Sequence, residues 1–346
     1  MFYIYSVGFL FLLSYFFAIN QINRQKIYYI ILLILFIFTA FRYQVGCDWT
    51  SYENIFTDAD YVNLTYILNS REPIFWMIIM LFKKMNFSYI YFNVIFSAIF
   101  FIGIHTLAKK QPDPLSFLIL MFPILIINIP MSGIRQGAAI GLICIALAAF
   151  VDRRPLYYLI WVALATCFHS SAIIFVLLVP FASGRFNNTR LAIMGLFTIP
   201  CLFSFYFLDS AQWALSTYVG TGLESYGAAF RIFFLVLSGM YFYLCLKNKW
   251  LQTFPKDYSL VSLGSIGMVM IVFLLPISTI ISDRFGYYLI PIQAIIFARI
   301  PYLPFKSNHS LNCALPYLGL FLVFFAWTKM SWHFKECYVP YDNLFF

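Results

Sequence analysis

Charge is scarce in this chain. Only 10% of its 346 residues are charged, against about a quarter in an ordinary soluble domain. Hydrophobic residues make up 63%, in runs near bilayer length that recur from end to end, which excludes a soluble fold. The runs do not alternate polar and apolar, which argues against a β-barrel. An all-α, polytopic integral membrane protein remains, because helices satisfy their own backbone in lipid. The net charge of +9 comes from basic residues scattered singly and in pairs. No cluster of them forms a nucleic-acid patch, so no nucleic-acid partner is expected. Seven cysteines show no metal-ligand spacing. Cys144, Cys167, Cys201 and Cys245 fall in apolar runs and read as packing residues. His105, His309 and His333 are read as lacking acidic or cysteine neighbours in ligand spacing, so neither a metal nor another cofactor is expected. The first run has no basic leader and no small-residue cleavage site, and reads as a retained helix.

What the chain does have is many apolar segments. Residues 1–19 form the first, followed by Arg24 and Lys26. Residues 27–41 return and end at Arg42. Residues 42–72 are the first long polar stretch, an external loop with a short helix in it. Residues 73–87 are apolar, short and interrupted by Lys83-Lys84. They read as a re-entrant or interfacial half-helix started by Pro73. Spans follow at 89–107, 115–131, 136–150, 156–168, 172–181 and 191–208. After a second external loop at 209–229 come spans at 230–246, 258–277, 285–298 and 314–328. The expectation is a single transmembrane domain, 1–346, of about twelve crossings plus one half-helix, with both ends outside. This alternation assigns thirteen of the 22 basic residues to the inside: Arg24, Lys26, Lys109, Lys110, Arg153, Arg154, Arg185, Arg190, Lys247, Lys249, Lys256, Arg299 and Lys306. Basic residues orient membrane loops. Only Asp113, Asp152 and Asp257 among the acids fall inside. Cys47 and Cys337 both fall outside, which permits a disulfide between them without requiring one.

The remaining basic residues draw attention. In residues 128–172, Arg135 and His169 bracket two apolar runs joined at Arg153-Arg154, so both lie at one membrane face. Arg42, Arg71, Arg231 and Arg284 also fall at or near outer helix ends. For Arg231 alone, snorkelling into the headgroups is the ordinary reading. For the set, an anion is the better account, because a guanidinium fork binds phosphate oxygens bidentately and stays charged when desolvated. His169 has two readings of equal weight, a helix-end cap and a general base. Glu72 reads either as a charge at a helix start or as a carboxylate at a cavity mouth. Asp48 and Tyr52 either structure their loop or bind sugar.

In order and spacing, FRYQVGCDWTSYENIF, REPIFWMIIMLF, GIRQGAAIGLICIALAAF and CFHSSAIIF resemble the EpsG family of Wzy-like polymerases. SDRFGYYLIPI and the tail YVPYDNLFF resemble its later segments. The resemblance implies a GT-C-like membrane glycosyltransferase of the bacterial inner membrane, acting on the periplasmic or outer side. Such enzymes take undecaprenyl-pyrophosphate-linked glycans as donor and acceptor, alongside membrane lipids, a flippase and a chain-length regulator. On that expectation His169, Glu72 and Arg135 are catalytic, and Arg42, Asp48, Tyr52, Arg71 and Arg284 bind substrate. A lipid-linked oligosaccharide flippase and an O-antigen ligase are the alternatives.

Overall fold

The computed structural model describes residues 1–16, 21–183, 188–190, 192, 196, 212, 216–222, 224–225, 227–305 and 307–345. Most of the expected span at 191–208, loop residues 209–211, 213–215, 223 and 226, Arg185 and Lys306 lie outside the described residues. The described chain is helical, with one isolated β-bridge between Arg42 and Asn343. Among the described residues five helices are long and apolar enough to cross a membrane: Ile22–Ala40, Tyr89–Ala108, Ile134–Val151, Ala228–Thr253 and His309–Met330.

Local chemistry sets the helix starts. Pro73, Pro114 and Pro155 each occupy a first helical position, where the missing N–H costs nothing. Asp113, Asn63, Ser278 and Ser331 cap their helices by accepting from backbone N–H groups. The stretch 42–72 holds two short helices, α3 (Trp49–Thr57) and α4 (Leu64–Asn69), where one was expected. The expected half-helix falls on α5 (Pro73–Lys84). Twelve residues reach about 18 Å, short of a hydrocarbon core of about 30 Å. Ser170–Phe181 winds as a 3-10 helix. At about 2 Å per residue its twelve residues reach about 24 Å, further than the same count in an α-helix.

Two helices form the centre. In α8 (Ile134–Val151) 83% of the residues are buried. It packs between α6 (Tyr89–Ala108) and α9 (Pro155–Phe168). Gly103 and Gly141 allow a close approach: a Cβ at Gly103 would collide with the Gly141 carbonyl, and one at Gly141 would lie 2.6 Å from Phe100 Cα. Small residues at such crossings let helix backbones touch. The other central helix is α13 (Thr279–Arg299), buried along most of its length. It begins six residues before the expected start of that span, so Asp283 and Arg284 lie within a helix rather than in a loop.

The six ion pairs among the described residues test the alternation. Arg24–Asp113, Lys110–Asp152 and Arg299–Asp257 join residues assigned inside. Arg135–Glu72, Arg231–Asp283 and Lys83–Asp60 join residues assigned outside. No pair joins one side to the other.

Candidate functional site

The helix ends assigned outside converge on a cavity of about 420 Å³. Its wall takes Asp48 and Tyr52 from α3 and its lead-in. Ser132, Arg135 and Gln136 come from the start of α8, and His169 from the turn after α9. Arg231 comes from α10 (Ala228–Tyr241), and Asp283 and Arg284 from the first two turns of α13. Five of the eight expected residues therefore meet in one space.

Arg135 is held from three directions. Nη1 donates to Glu72 Oε2 at 2.6 Å, and Nε donates to the Tyr52 hydroxyl at 3.2 Å. The guanidinium also lies over the Tyr52 and Phe75 rings, at 5.5 and 5.0 Å. Glu72 is buried and stands behind Arg135 rather than in the wall. Arg284 is different. Its backbone carbonyl accepts from Gln136 Nε2 at 2.6 Å, and its guanidinium lies over Tyr218 at 4.8 Å. Among the described residues no hydrogen bond or ion pair engages that guanidinium.

The loop carrying Asp48 is pinned. Cys47 and Cys337 form a disulfide across 290 residues. The Gly46 N–H donates to the Cys337 carbonyl at 2.7 Å, and the Cys47 N–H donates to Ser132 Oγ at 2.9 Å. Gly46 has φ +108°, and a Cβ there would collide with the Met131 carbonyl, so only glycine fits. Tyr338 completes the clamp, with its hydroxyl 2.7 Å from Ser132 Oγ and 2.8 Å from Asn128 Oδ1. The tail pairs with the same region: the Tyr43 N–H donates to the Asp342 carbonyl and the Leu344 N–H to the Phe41 carbonyl.

His169 is half-buried in the turn between α9 and the 3-10 helix. Its Nδ1 lies 2.8 Å from Ser171 Oγ and accepts from the Ser171 N–H at 3.4 Å. It caps the next helix, one of the two roles read for it from sequence. Burial, then Arg135 and Arg284, push its pKa down to about 3, so the ring is neutral at physiological pH.

Four expectations change. Arg42 does not reach the cavity. It is 1% exposed, and its guanidinium donates to the Thr39 and Val45 carbonyls and to Asn93 Oδ1. It braces the loop start and lies over Trp49. Arg71 is exposed and lies outside the cavity wall. Arg231 does not snorkel: at 5% exposure it points inward and binds both Asp283 oxygens, at 2.8 and 2.7 Å. Sequence did offer a signal for it, an arginine and an aspartate at the outer ends of separate spans. The histidine reading also missed two i,i+4 neighbours, His309–Cys313 and His333–Cys337. Cys47, His333 and Cys337 bring their ligand atoms within 4.8 Å of one another. The disulfide removes both thiolates from that donor set, and a lone imidazole does not fit a metal.

The EpsG family model matches residues 25–343, almost the whole chain and every cavity-lining residue. The chain belongs to the EpsG family. This is the family of Wzy-type polymerases and exopolysaccharide glycosyltransferases. No curated protein and no solved structure matches the chain. As an EpsG member it has a polysaccharide polymerase-like role, and its long apolar helices make it a multi-pass membrane protein.

Proposed function

We propose that the protein polymerises lipid-linked oligosaccharide repeat units. It would transfer the growing glycan from undecaprenyl pyrophosphate to the non-reducing end of another undecaprenyl-pyrophosphate-linked unit. Arg284 carries the reading. It shares a cavity wall with Arg135, and among the described residues no protein acceptor engages its guanidinium. A recessed cation without a partner is costly, and a bound anion offsets that cost. Arg135 and Arg284 hold the donor pyrophosphate and meet the charge it gains as the glycan leaves. Tyr52, orienting Arg135 through its hydroxyl, offers an aromatic edge to the glycan, and exposed Arg71 contributes at the approach rather than at the reacting atoms.

In this reading residues 1–346 form one GT-C-like transmembrane domain of about twelve crossings plus the half-helix α5. Its cavity opens to the periplasm or the outside of a bacterial inner membrane. The basic-residue bias supports that orientation, as does the disulfide, which belongs in an oxidising compartment. A flippase and a chain-length regulator are its expected partners. A flippase reading of this chain itself calls for charge along a path between the two faces. The described ion pairs gather instead in two separate sets at the helix ends.

Deleting the gene and analysing surface polysaccharide tests the reading. A single-repeat product supports polymerisation. No surface product indicates a flippase, and free lipid-linked polymer indicates a ligase. Complementation with Arg135→Ala is expected to leave single repeats at normal protein level, and a wild-type chain-length ladder from that variant would overturn the arginine assignment.

A further inference from the structure

Glycan transfer requires a group that takes the acceptor hydroxyl's proton. The cavity and its backing supply six candidates, and their surroundings disqualify three. Glu72 is committed to Arg135 at 2.6 Å and stands behind the wall. Protonating it would release the arginine that grips the pyrophosphate. Asp283 has both oxygens engaged, by Arg231 and by Ser225 Oγ. At His169 Nδ1 is occupied by Ser171, 2.8 Å from its Oγ and 3.4 Å from its backbone N–H. Burial and the neighbouring charges of Arg135 and Arg284 disfavour a second proton on that ring, so it is a poor place for the acceptor's proton.

Asp48 remains, with Glu224 and the exposed His333 as comparators. The Asp48 side chain caps nothing, and among the described residues its carboxylate makes no hydrogen bond or ion pair. It is open to the cavity but fixed in place by the disulfide, the Gly46 turn and the Ser132 contact next to it. Such anchoring is what a positioned base requires. Burial lifts its carboxyl above the ordinary range, with Arg284 and Arg135 pulling it partway back. That moves it toward the working range of a general base.

We propose that Asp48 is the catalytic base, that neutral His169 binds substrate oxygen through a hydrogen bond, and that Glu72 is a positioning residue for Arg135. This rests on the polymerase reading above. The acceptor O–H bond breaks and its proton passes to the Asp48 carboxylate. The freed oxygen forms the new glycosidic bond at the donor's anomeric carbon. The bond from that carbon to pyrophosphate breaks, and its electron pair leaves with the lipid pyrophosphate beside Arg135 and Arg284.

The test uses the full-length protein in lipid nanodiscs with lipid-linked repeat units. Binding of undecaprenyl pyrophosphate is followed by fluorescence of the cavity residue Trp327 and its neighbours. Asp48→Asn is expected to slow chain growth about 100- to 10,000-fold while pyrophosphate binding is unchanged or tighter. His169→Gln, which keeps an N–H donor, should retain more activity than His169→Ala. Glu72→Gln should weaken pyrophosphate binding more than it lowers the saturated rate. Formation of the Cys47–Cys337 bond in each variant reports correct folding, and Asp48→Glu, expected to keep measurable activity, replaces Asp48→Asn if that variant fails to fold. A wild-type rate in Asp48→Asn overturns the proposal, as does loss of pyrophosphate binding in it. Rate loss in Glu224→Gln or His333→Gln with Asp48→Asn active transfers the role and also overturns it. If the wild-type protein neither binds undecaprenyl pyrophosphate nor extends a repeat unit, the polymerase reading itself fails, whatever Asp48 does.

Discussion

Replacing Arg284 with alanine separates ligand chemistry from fold stability. The guanidinium has no hydrogen bond to lose among the described residues, and its visible interaction is the Tyr218 ring at 4.8 Å. Losing such a contact at a half-buried site costs about 0.5–1 kcal/mol. The bond from Gln136 goes to the residue 284 backbone carbonyl and survives the substitution. Chemistry should suffer far more. Removing one donor aimed at developing charge costs about 2.7–4 kcal/mol, or roughly 100- to 1,000-fold in rate. Arg231→Ala is the contrasting case. It strands the Asp283 carboxylate at 6% exposure, and breaking a buried pair costs about 3–5 kcal/mol. Chain-length ladders, membrane protein level and thermal stability in detergent are read together. Arg284→Ala should lose long chains at near-normal stability, whereas Arg231→Ala should lose the protein. Arg284→Lys should fall between wild type and alanine, because it keeps the charge and loses the fork. A wild-type ladder from Arg284→Ala refutes the reasoning. So does a stability loss equal to that of Arg231→Ala, which would make Arg284 a structural residue.

Two further outcomes are expected. Maleimide should fail to label Cys47 and Cys337 in intact cells until a reductant is added, and serine at both positions should cost about 2–4 kcal/mol of stability; labelling without reductant would remove both the bond and the support it lends to orientation. Gly141→Val should cost about 3 kcal/mol or more, read as lost thermal stability and low accumulation. The added carbon meets Phe100 Cα and the Ile99 carbonyl, which are backbone atoms that cannot rotate aside, so an unchanged melting temperature would contradict the close crossing of α6 and α8.

The helices were legible because lipid demands long apolar runs, and their alternation followed from where basic residues fall. Arg135 and Glu72 were legible as candidates because each sits at the start of a helix beside a polar stretch. Arg42 looked the same in sequence. Its fate depends on Asn93, 51 residues away, and on carbonyls of its own loop, which hydropathy does not register. The start of α13 was misjudged for a related reason. Asp283 reads as a span boundary until Arg231 neutralises it inside the bundle. The role of His169 turned on one backbone N–H two residues later, a contact set by the turn and not by residue type. The pinning of Asp48 joins residues 47 and 337, which only the completed topology brings together.

The charge balance of the cavity argues for chemistry over anion binding alone. Arg135, Arg231 and Arg284 face Asp48, Glu224 and Asp283, with Glu72 close behind. The carboxylates thus match or outnumber the arginines, which makes a poor trap for pyrophosphate by field alone. A carboxylate about 5 Å from a phosphate charge costs about 3 kcal/mol at an effective dielectric of about 20. Asp283 and Glu72 escape that cost because each is spent on an arginine. Among the described residues Asp48 has no such pairing, and its loop is held where the penalty applies. A site built only to hold an anion would be improved by asparagine there. A site that must also accept a proton as the anion leaves would be ruined by it. Tighter pyrophosphate binding together with a collapsed rate in Asp48→Asn is therefore the signature that separates the two designs.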